Sequence, residues 1–333
     1  MKLDLKDKKI LYELSKNCRR PLNKLSKKVA LSREVIDYRI KKMVKEKVIE
    51  GFYTEIDETK LGFGRHIVYI VFHKVTETKE KEIIDKIVAH PFVSWTTVSM
   101  GKWSIIFDFI TDNIKQINDF VEELKLQYKY NIGEYMVASQ IYFQHFNYKY
   151  YNVKEKKKLF ETIEKERKYT NYKLDRKDIQ LLRILSDNAR MSCVDISSKI
   201  GTSPNTVKNR IKALMNAGII KSFFIQPNKE LFGYSQYYLQ LDFVNQTKDE
   251  EKRVVEYVIK HPNVNAYYKP LGHWSMELAV FVKNSAELRK IIIDLRNLFG
   301  NIMKVHDAVL FYEEPKSNYL PTGVFDSLEA KYK

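Results

Sequence analysis

Residues 31–49 read LSREVIDYRIKKMVKEKVI, and residues 202–220 read TSPNTVKNRIKALMNAGII. In each stretch a serine precedes apolar residues at helical spacing, which predicts a helix capped by Ser32 or Ser203. Arg-Ile-Lys stands inside both stretches, at residues 39–41 and 210–212. The two stretches therefore describe the same helix twice, 171 residues apart.

An internal repeat organises the whole chain. The offset of 171 residues also aligns Leu3-Asp4 with Leu174-Asp175, His90-Pro91 with His261-Pro262, and Gly101-Lys102-Trp103-Ser104 with Gly272-His273-Trp274-Ser275. Matches spread this widely on one constant offset indicate a tandem duplication, and such a period sets the architecture before any local feature does.

The first part of each copy predicts three short helices. Asp4 is a candidate N-cap for the first, a tight turn follows the second at Ala30-Leu31, and Ser32 begins the third. Gly51 ends the helical pattern, and residues 52–56 alternate like a strand, which we interpret as part of a small hairpin. Three helices followed by a hairpin are typical of a winged helix-turn-helix, assigned to residues 1–60 and 171–231.

The second part of each copy alternates strands and helices in the order βαββαβ, which predicts a ferredoxin-like sandwich. These domains are assigned to residues 61–147 and 232–312. Residues 148–170 are interpreted as a charged, exposed helical connector, and residues 313–333 as a loose tail. The predicted fold class is α+β, a winged helix-turn-helix plus a ferredoxin-like sandwich, repeated twice.

Positive charge is concentrated in particular segments. The 333-residue chain has a formal net charge of +16. Residues 1–60 hold 17 Lys/Arg against 10 Asp/Glu, residues 148–170 hold 8 against 4, and residues 171–231 hold 11 against 5. The remaining segments hold 22 against 23. Positive charge localised in this way predicts faces that bind a polyanion.

Several protein classes are disfavoured by the composition. Hydrophobic residues make up 44% of the chain, but no apolar run approaches the length of about 18 residues that spans a bilayer. The charged N-terminus lacks a signal segment, so we expect a cytoplasmic, nucleoid-associated protein. Cys18 and Cys193 are the only cysteines, and no Cys/His cluster has zinc spacing, so we expect no metal and no cofactor.

These features together resemble the Lrp/AsnC (feast-famine) family of transcription regulators. The resemblance rests on Leu-Asp-x-x-Asp before the first helix, the Ser-capped third helix with Arg-Ile-Lys, and the Gly-x-Trp turn of the sandwich. It covers nearly everything except the connector and tail. Family members are single units that pair through the sandwich domain, with the sheets face to face. The chain is similar to such a dimer fused covalently, and the implied activity is regulation of transcription, not catalysis.

The turn at the sandwich departs from the family pattern. The family's motif is Gly-x-x-Asp, whereas this chain has Ser104 and Ser275 at the final positions. The family often binds an amino acid near this loop, at a contact between dimers. The candidate effector loop therefore comprises Gly101, Trp103, Ser104, Gly272, Trp274 and Ser275, and loss of the carboxylate predicts weak or absent amino-acid binding. Trp103 and Trp274 are predicted to be core or interface residues.

The third helices offer the candidate DNA-binding residues. In the first copy these are Ser32, Arg33, Glu34, Asp37, Tyr38, Arg39, Lys41 and Lys42, and in the second Ser203, Asn205, Thr206, Lys208, Asn209, Arg210 and Lys212. Asn pairs with adenine, a Thr methyl meets thymine, and a carboxylate accepts from cytosine. The alternative is an ordinary solvated helix face. Because the two sets differ, we expect sequence-specific binding to asymmetric or pseudo-palindromic operators in double-stranded DNA.

A second hypothesis keeps the same layout but assigns an enzyme. Fused proteins with winged helices and sandwiches include sirohaem decarboxylases, which act in haem synthesis and use His and Arg in the sandwich cavity. The Arg-Arg pair such enzymes have after the wing helix is absent, since Val48-Ile49 leads into Glu50-Gly51. Besides duplex DNA, the expected partners are further copies, through the ferredoxin-like domains, and, as an open option, the basal transcription machinery.

Overall fold

The structure is a computed structural model that describes residues 3–146 and 172–332. The described residues divide into two compact units. The helix-turn-helix unit comprises the described residues up to Leu61, from Tyr172 to Leu231, and from Asn318 onward. Residues 62–146 and 232–317 form the sandwich unit. The connector predicted for residues 148–170 lies outside the described residues.

The two copies contribute matching elements. The first copy contains α1 (Leu5–Lys16), α2 (Leu22–Val29), α3 (Arg33–Lys45), β1 (Ile49–Ile56), β2 (Gly64–Phe72), α4 (Glu77–Ala89), β3 (Val93–Met100), β4 (Ile105–Thr111), α5 (Lys115–Tyr128) and β5 (Ile132–His145). The second contains α6 (Arg176–Asp187), α7 (Cys193–Ile200), α8 (Pro204–Asn216), β6 (Ile220–Pro227), β7 (Ser235–Phe243), α9 (Lys248–Lys260), β8 (Val264–Leu271), β9 (Met276–Val282), α10 (Ser285–Phe299), β10 (Met303–Ser317) and α11 (Thr322–Lys331). The predicted fold class is confirmed.

Polar caps fix where the helices of the helix-turn-helix unit begin. The Asp4 carboxylate accepts from the backbone N–H of Asp7, whose own carboxylate accepts from the Asp4 N–H. Asp175 and Asp178 form the same reciprocal pair at α6. Each pair satisfies backbone donors that the first helical turn leaves without partners. The predicted caps at Ser32 and Ser203 are also confirmed.

The turn between the second and third helices adopts a left-handed backbone in both copies. Its central residue is Ala30 with φ 56° in the first copy and Gly201 with φ 62° in the second. Glycine adopts this conformation at little cost, whereas a Cβ makes it unfavourable. A lysine from the first helix closes each turn, since Lys6 Nζ donates to the Val29 carbonyl at 2.6 Å and Lys177 Nζ to the Gly201 carbonyl at 2.8 Å.

The wing differs from the sequence prediction. No hairpin follows the third helix in the described part of either copy. Instead, β1 and β6 pair with each other as an antiparallel two-stranded sheet. The prediction of a hairpin within each copy was wrong because alternation identifies a strand but not its partner. One sheet therefore joins the two helix-turn-helix parts directly.

Eight strands of the sandwich unit close into a barrel in the order β10-β3-β4-β2-β5-β8-β9-β7. Each sandwich supplies four neighbouring strands, and the end of its last strand pairs with the other sandwich. Thus β5 pairs with β8, and β10 pairs with β3, both antiparallel. The predicted pairing of the two sandwiches within one chain is confirmed.

Two apolar layers hold the sandwich unit together. On the outer side of the first sheet, α4 and α5 bury Ile83, Ile87 and Phe120 against strand residues such as Phe107. On the inner side, the sheets of the two sandwiches face one another across Tyr69, Trp103, Tyr238 and other buried residues. Burial of such side chains is the main driving force for this pairing.

The described part of the C-terminal segment, residues 313–332, contains a strand end and a helix, contrary to the prediction of a loose tail over residues 313–333. Its first residues extend β10, and its last helix, α11, packs on α6. Val324, Phe325 and Leu328 are buried, and Arg183 of α6 forms ion pairs with Asp326 and Glu329. The prediction failed because three large apolar residues in a ten-residue helix give a weak sequence pattern.

Candidate nucleic-acid interface

The third helix of each helix-turn-helix presents a polar face opposite its core. Ile36, Ile40 and Met43 bury one side of α3, and Val207, Ile211 and Leu214 bury the same side of α8. Of the predicted DNA-binding residues, those that lie exposed are Ser32, Arg33, Glu34, Tyr38, Lys41 and Lys42 on the first helix and Ser203, Asn205, Lys208, Asn209 and Lys212 on the second. We call these two faces the first and second reader. The structure thus brings most of each predicted set onto one surface.

The second reader carries neutral donors and acceptors together with lysines. Asn205 and Asn209 lie one helical turn apart and are both exposed. The Thr206 hydroxyl lies 2.8 Å from that of Ser203, within the N-cap. Lys208 and Lys212 add positive charge along the same face. Exposed amides at this spacing suit hydrogen bonds to base edges in a major groove.

The first reader is chemically different. A depression on its surface is lined by Leu22, Arg33, Glu34, Asp37, Tyr38 and Lys41. Lys41 Nζ lies 2.6 Å from an Asp37 carboxylate oxygen, one helical turn away. Hydrogen bonds from its own backbone N–H and from the Ser32 hydroxyl lower the pKa of the Glu34 carboxyl. The Glu34 carboxylate is therefore charged at neutral pH, where it accepts hydrogen bonds and repels phosphates.

Arg39 and Arg210 are engaged inside their own domains. Arg39 Nη1 donates to Asp4 at 2.7 Å and to Asp7 at 2.8 Å. These hydrogen bonds raise the pKa of Arg39. Arg210 forms the same contacts with Asp175 and Asp178, at 2.8 and 2.7 Å. The ion pairs tie each reader to the N-terminus of the first helix, a structural role that helical spacing did not reveal. Contact of either arginine with DNA stays a prediction.

A second pair of arginines joins the two copies. Arg19 Nη1 donates to the carbonyls of Ala189 and Met191, at 2.6 and 2.8 Å, and the guanidinium lies over the Phe223 ring. Its equivalent Arg190 donates to the Cys18 carbonyl and lies over Phe52. The two arginines stand 171 residues apart, at equivalent positions of the repeat. Their shared offset was the available signal, but it did not indicate a contact between copies.

The predicted effector loops are turns whose serines are engaged. The backbone N–H of Phe72 donates to the Ser104 hydroxyl at 2.9 Å. Ser275 accepts from the Phe243 N–H at 3.1 Å and donates to Asp242 at 2.7 Å. Gly101 and Gly272 have φ values of 133° and 146°. Trp103 and Trp274 are 1% and 4% exposed, which confirms their prediction as core residues.

Over residues 3–146 and 172–332, no three His, Cys, Asp or Glu side chains are grouped so that they could hold a metal ion. Within the same residues, no helix has the length and apolar character needed to cross a membrane.

Comparison with known proteins identifies both helix-turn-helix parts. Residues 3–44 match the AsnC-type helix-turn-helix domain, and residues 174–221 match a winged helix-turn-helix DNA-binding domain. An uncharacterized HTH-type transcriptional regulator of Pyrococcus furiosus is 36% identical over 129 residues, which are 38% of this chain and 86% of that protein. LrpA of Pyrococcus horikoshii is 27% identical over 137 residues, which are 41% of this chain and 96% of that protein.

Among solved structures, the sirohaem decarboxylase NirDL has the same overall fold. Its TM-score is 0.63, and the match covers 98% of both chains at 13% sequence identity. Identity this low shows a shared duplicated fold and nothing about activity. The single-unit regulators, in contrast, match at higher identity over one copy's length. The chain therefore belongs to the Lrp/AsnC family of DNA-binding transcription regulators, in a form that carries the family's unit twice.

Proposed function

We propose that this chain regulates transcription by binding specific duplex DNA through two readers that recognise different half-sites. Its operators are then asymmetric or pseudo-palindromic. The observation that carries the proposal is the pair of exposed helix faces, joined in one unit, that differ in charge and hydrogen-bonding groups. In a dimer of identical chains both half-sites meet the same helix, so operator symmetry follows protein symmetry. In this chain the two copies have the same fold, but their readers carry different side chains.

Salt dependence tests whether the positive charge contacts phosphates. If about six phosphates are neutralised, log affinity should fall with log salt at a slope near −5. Fluorescence anisotropy on a labelled duplex pool, between 50 and 300 mM salt, measures this slope. A slope indistinguishable from zero contradicts DNA binding through the basic segments.

Matched lysine variants locate the contact. Lys208→Ala with Lys212→Ala removes two charges from the second reader, and should make the salt slope shallower by about 2. Lys81→Ala with Lys290→Ala removes the same charge from exposed positions on α4 and α10 of the sandwich unit. This control should leave the slope unchanged. Equal changes in both variants would mean that net charge, and not the reader, sets the affinity.

The two readers should contribute unequally to specificity. Asn205→Ala with Asn209→Ala removes amide contacts to bases, each worth about 1–3 kcal/mol of discrimination. Glu34→Ala with Asp37→Ala removes acceptors suited only to cytosine and also removes negative charge. We expect the asparagine pair to lose more specific affinity, while the acidic pair gains non-specific affinity. Equal losses at both half-sites, measured by footprinting, would contradict the assignment.

We also propose that copies of the chain associate through the sandwich unit. Apolar side chains are exposed at equivalent positions of the two sandwiches, namely Met100 and Leu271, 58% and 64% exposed, and Ile141 and Tyr312, 59% and 69% exposed. Covering them against another chain would remove apolar surface from water. Light scattering should give a mass above one chain at micromolar concentration, and a strict monomer would contradict the association.

The interior between the two sheets supports the regulator over a haem-synthesis enzyme. Tyr238 and Phe311 lie 4.4 Å apart between ring centroids, and Trp95 lies 5.3 Å from Phe311. Tyr268 lies 5.2 Å from Tyr238. Rings at these distances are in contact, so aromatic side chains fill this part of the interior between the two sheets. Arg65 is also held by Asp108 at 2.6 Å, so its guanidinium is engaged within the protein.

A further inference from the structure

The inner faces of the two sandwiches differ at positions that the repeat makes equivalent. Tyr69 of β2 corresponds to Gln240 of β7, and Ile106 of β4 corresponds to Glu277 of β9. In the barrel, Glu277 is fully buried. The Tyr69 hydroxyl lies 2.8 Å from both its carboxylate oxygens, and Gln240 Nε2 donates to Oε1 at 2.6 Å. The carboxyl on one sandwich thus obtains its tyrosine partner from the other.

The aromatic contacts are asymmetric as well. Trp95 on β3 of the first sandwich packs against Tyr238 and Phe311 of the second, and its indole N–H donates to Glu314 at 3.1 Å. The positions equivalent to these three rings carry Ala266, Ile67 and Gln140. Large rings therefore meet at these three positions, whereas smaller side chains occupy the equivalent positions, and the β5–β8 junction has a different stack, Phe143 on Tyr268.

We propose that the two inner faces are complementary to each other and not to themselves, so that each sandwich pairs only with the other kind. Two first faces would bring two Tyr69 hydroxyls against Ile106 side chains, which offer no acceptor. Two second faces would bury two Glu277 carboxyls, each of which would keep the hydrogen bond from its own Gln240 but lose the donor that Tyr69 supplies. A buried polar group without its partner costs much more than the hydrogen bond contributes when made.

The consequence concerns which assemblies form. Like halves of other copies are rejected at the inner face, so every closed barrel contains one sandwich of each kind. It therefore carries one first and one second reader. This pairing does not depend on DNA binding, whereas its effect on operator choice rests on the proposed function.

Exchange of residues between equivalent positions in the full chain tests the complementarity. Tyr69→Gln with Ile106→Glu makes both faces resemble the second, and Gln240→Tyr with Glu277→Ile makes both resemble the first. Each double variant should lower the folding equilibrium constant at least thirtyfold in urea unfolding. The quadruple variant moves the carboxyl and its tyrosine to the opposite sides, and should be more stable than either double variant.

The quadruple variant decides the result. If the losses of the two double variants simply multiply in it, or if both double variants fold as well as the original chain, the complementarity is refuted. If a double variant does not fold, folding of the quadruple variant supports the proposal and its failure to fold refutes it. Lys102→His with His273→Lys, an exchange between exposed equivalent positions, is the control and should change stability less than twofold. Salt-dependent DNA binding of the original chain is measured separately, so failure of either proposal is recognised without the other.

Discussion

Replacement of Arg19 by alanine should weaken the contact between the two helix-turn-helix copies. Its Nη1 donates to two carbonyls of the second copy, at 2.6 and 2.8 Å, and the guanidinium lies 5.6 Å from the centroid of the Phe223 ring. A hydrogen bond from a charged donor contributes about 1.5–3 kcal/mol. Arg19 is half-buried, so water partly replaces these bonds after truncation. We therefore expect Arg19→Ala to lower the free energy of unfolding by about 2–3 kcal/mol.

Two further variants test the planar geometry of the Arg19 guanidinium and the equivalent contact made by Arg190. Arg19→Lys keeps the charge but replaces the planar fork with a compact ammonium, so it should recover about half of the loss. Arg190→Ala removes the equivalent contact to the Cys18 carbonyl, and should lower stability by about 1–2 kcal/mol.

Urea unfolding followed by far-ultraviolet circular dichroism measures the three variants, with the salt slope on DNA measured in parallel. If the free energy of unfolding of Arg19→Ala lies within about 0.5 kcal/mol of that of the original chain, as is usual for surface substitutions, the association of the two copies does not depend on this contact. The reasoning from the reciprocal arginines is then refuted.

Three further predictions follow from individual residues. Burial raises the pKa of Glu277 from 4.5 to about 7. The folded chain therefore holds this proton where the unfolded chain releases it, and stability should fall by about 3 kcal/mol as pH rises from about 4.5 to about 7. Glu277→Gln should flatten that part of a pH series of urea unfolding, and an unchanged slope would contradict the assignment. Ala30→Gly should relieve the strain of a left-handed residue with a Cβ and stabilise the chain by about 0.5–1 kcal/mol. Gly201→Ala introduces that strain in the second copy and should destabilise the chain by about 1 kcal/mol. Shifts in melting temperature opposite to these would show that the turn is not strained. Because Ser104 and Ser275 offer no carboxylate to an α-ammonium group, calorimetry should detect no common amino acid bound more tightly than millimolar, and a micromolar ligand would overturn this.

Local features of the fold could be predicted from the sequence because their causes are local. The caps at Asp4, Ser32 and Ser203 and the turn at Ala30 depend on residues within four positions of one another. The constant offset of 171 residues then assigned the same features to the second copy. Helical spacing also placed most candidate DNA-binding residues on one exposed face of each third helix.

Contacts between the copies could not be predicted, because they depend on partners more than a hundred residues away. Alternation at residues 52–56 indicated a strand but did not show that it pairs with β6. Within each copy, periodicity showed on which side of the third helix Arg39 and Arg210 lie, but not that aspartates of the first helix reach them. Burial of Glu277 against Tyr69 likewise follows only from closure of the barrel.

Selection from a random duplex pool, followed by hydroxyl-radical footprinting, tests the central claim most directly. The claim is that two unlike readers in one chain recognise unlike half-sites. The account predicts two protected half-sites with different consensus sequences, and that Asn205→Ala with Asn209→Ala weakens only one of them. A perfectly palindromic consensus, with both half-sites weakened equally by that variant, would contradict it.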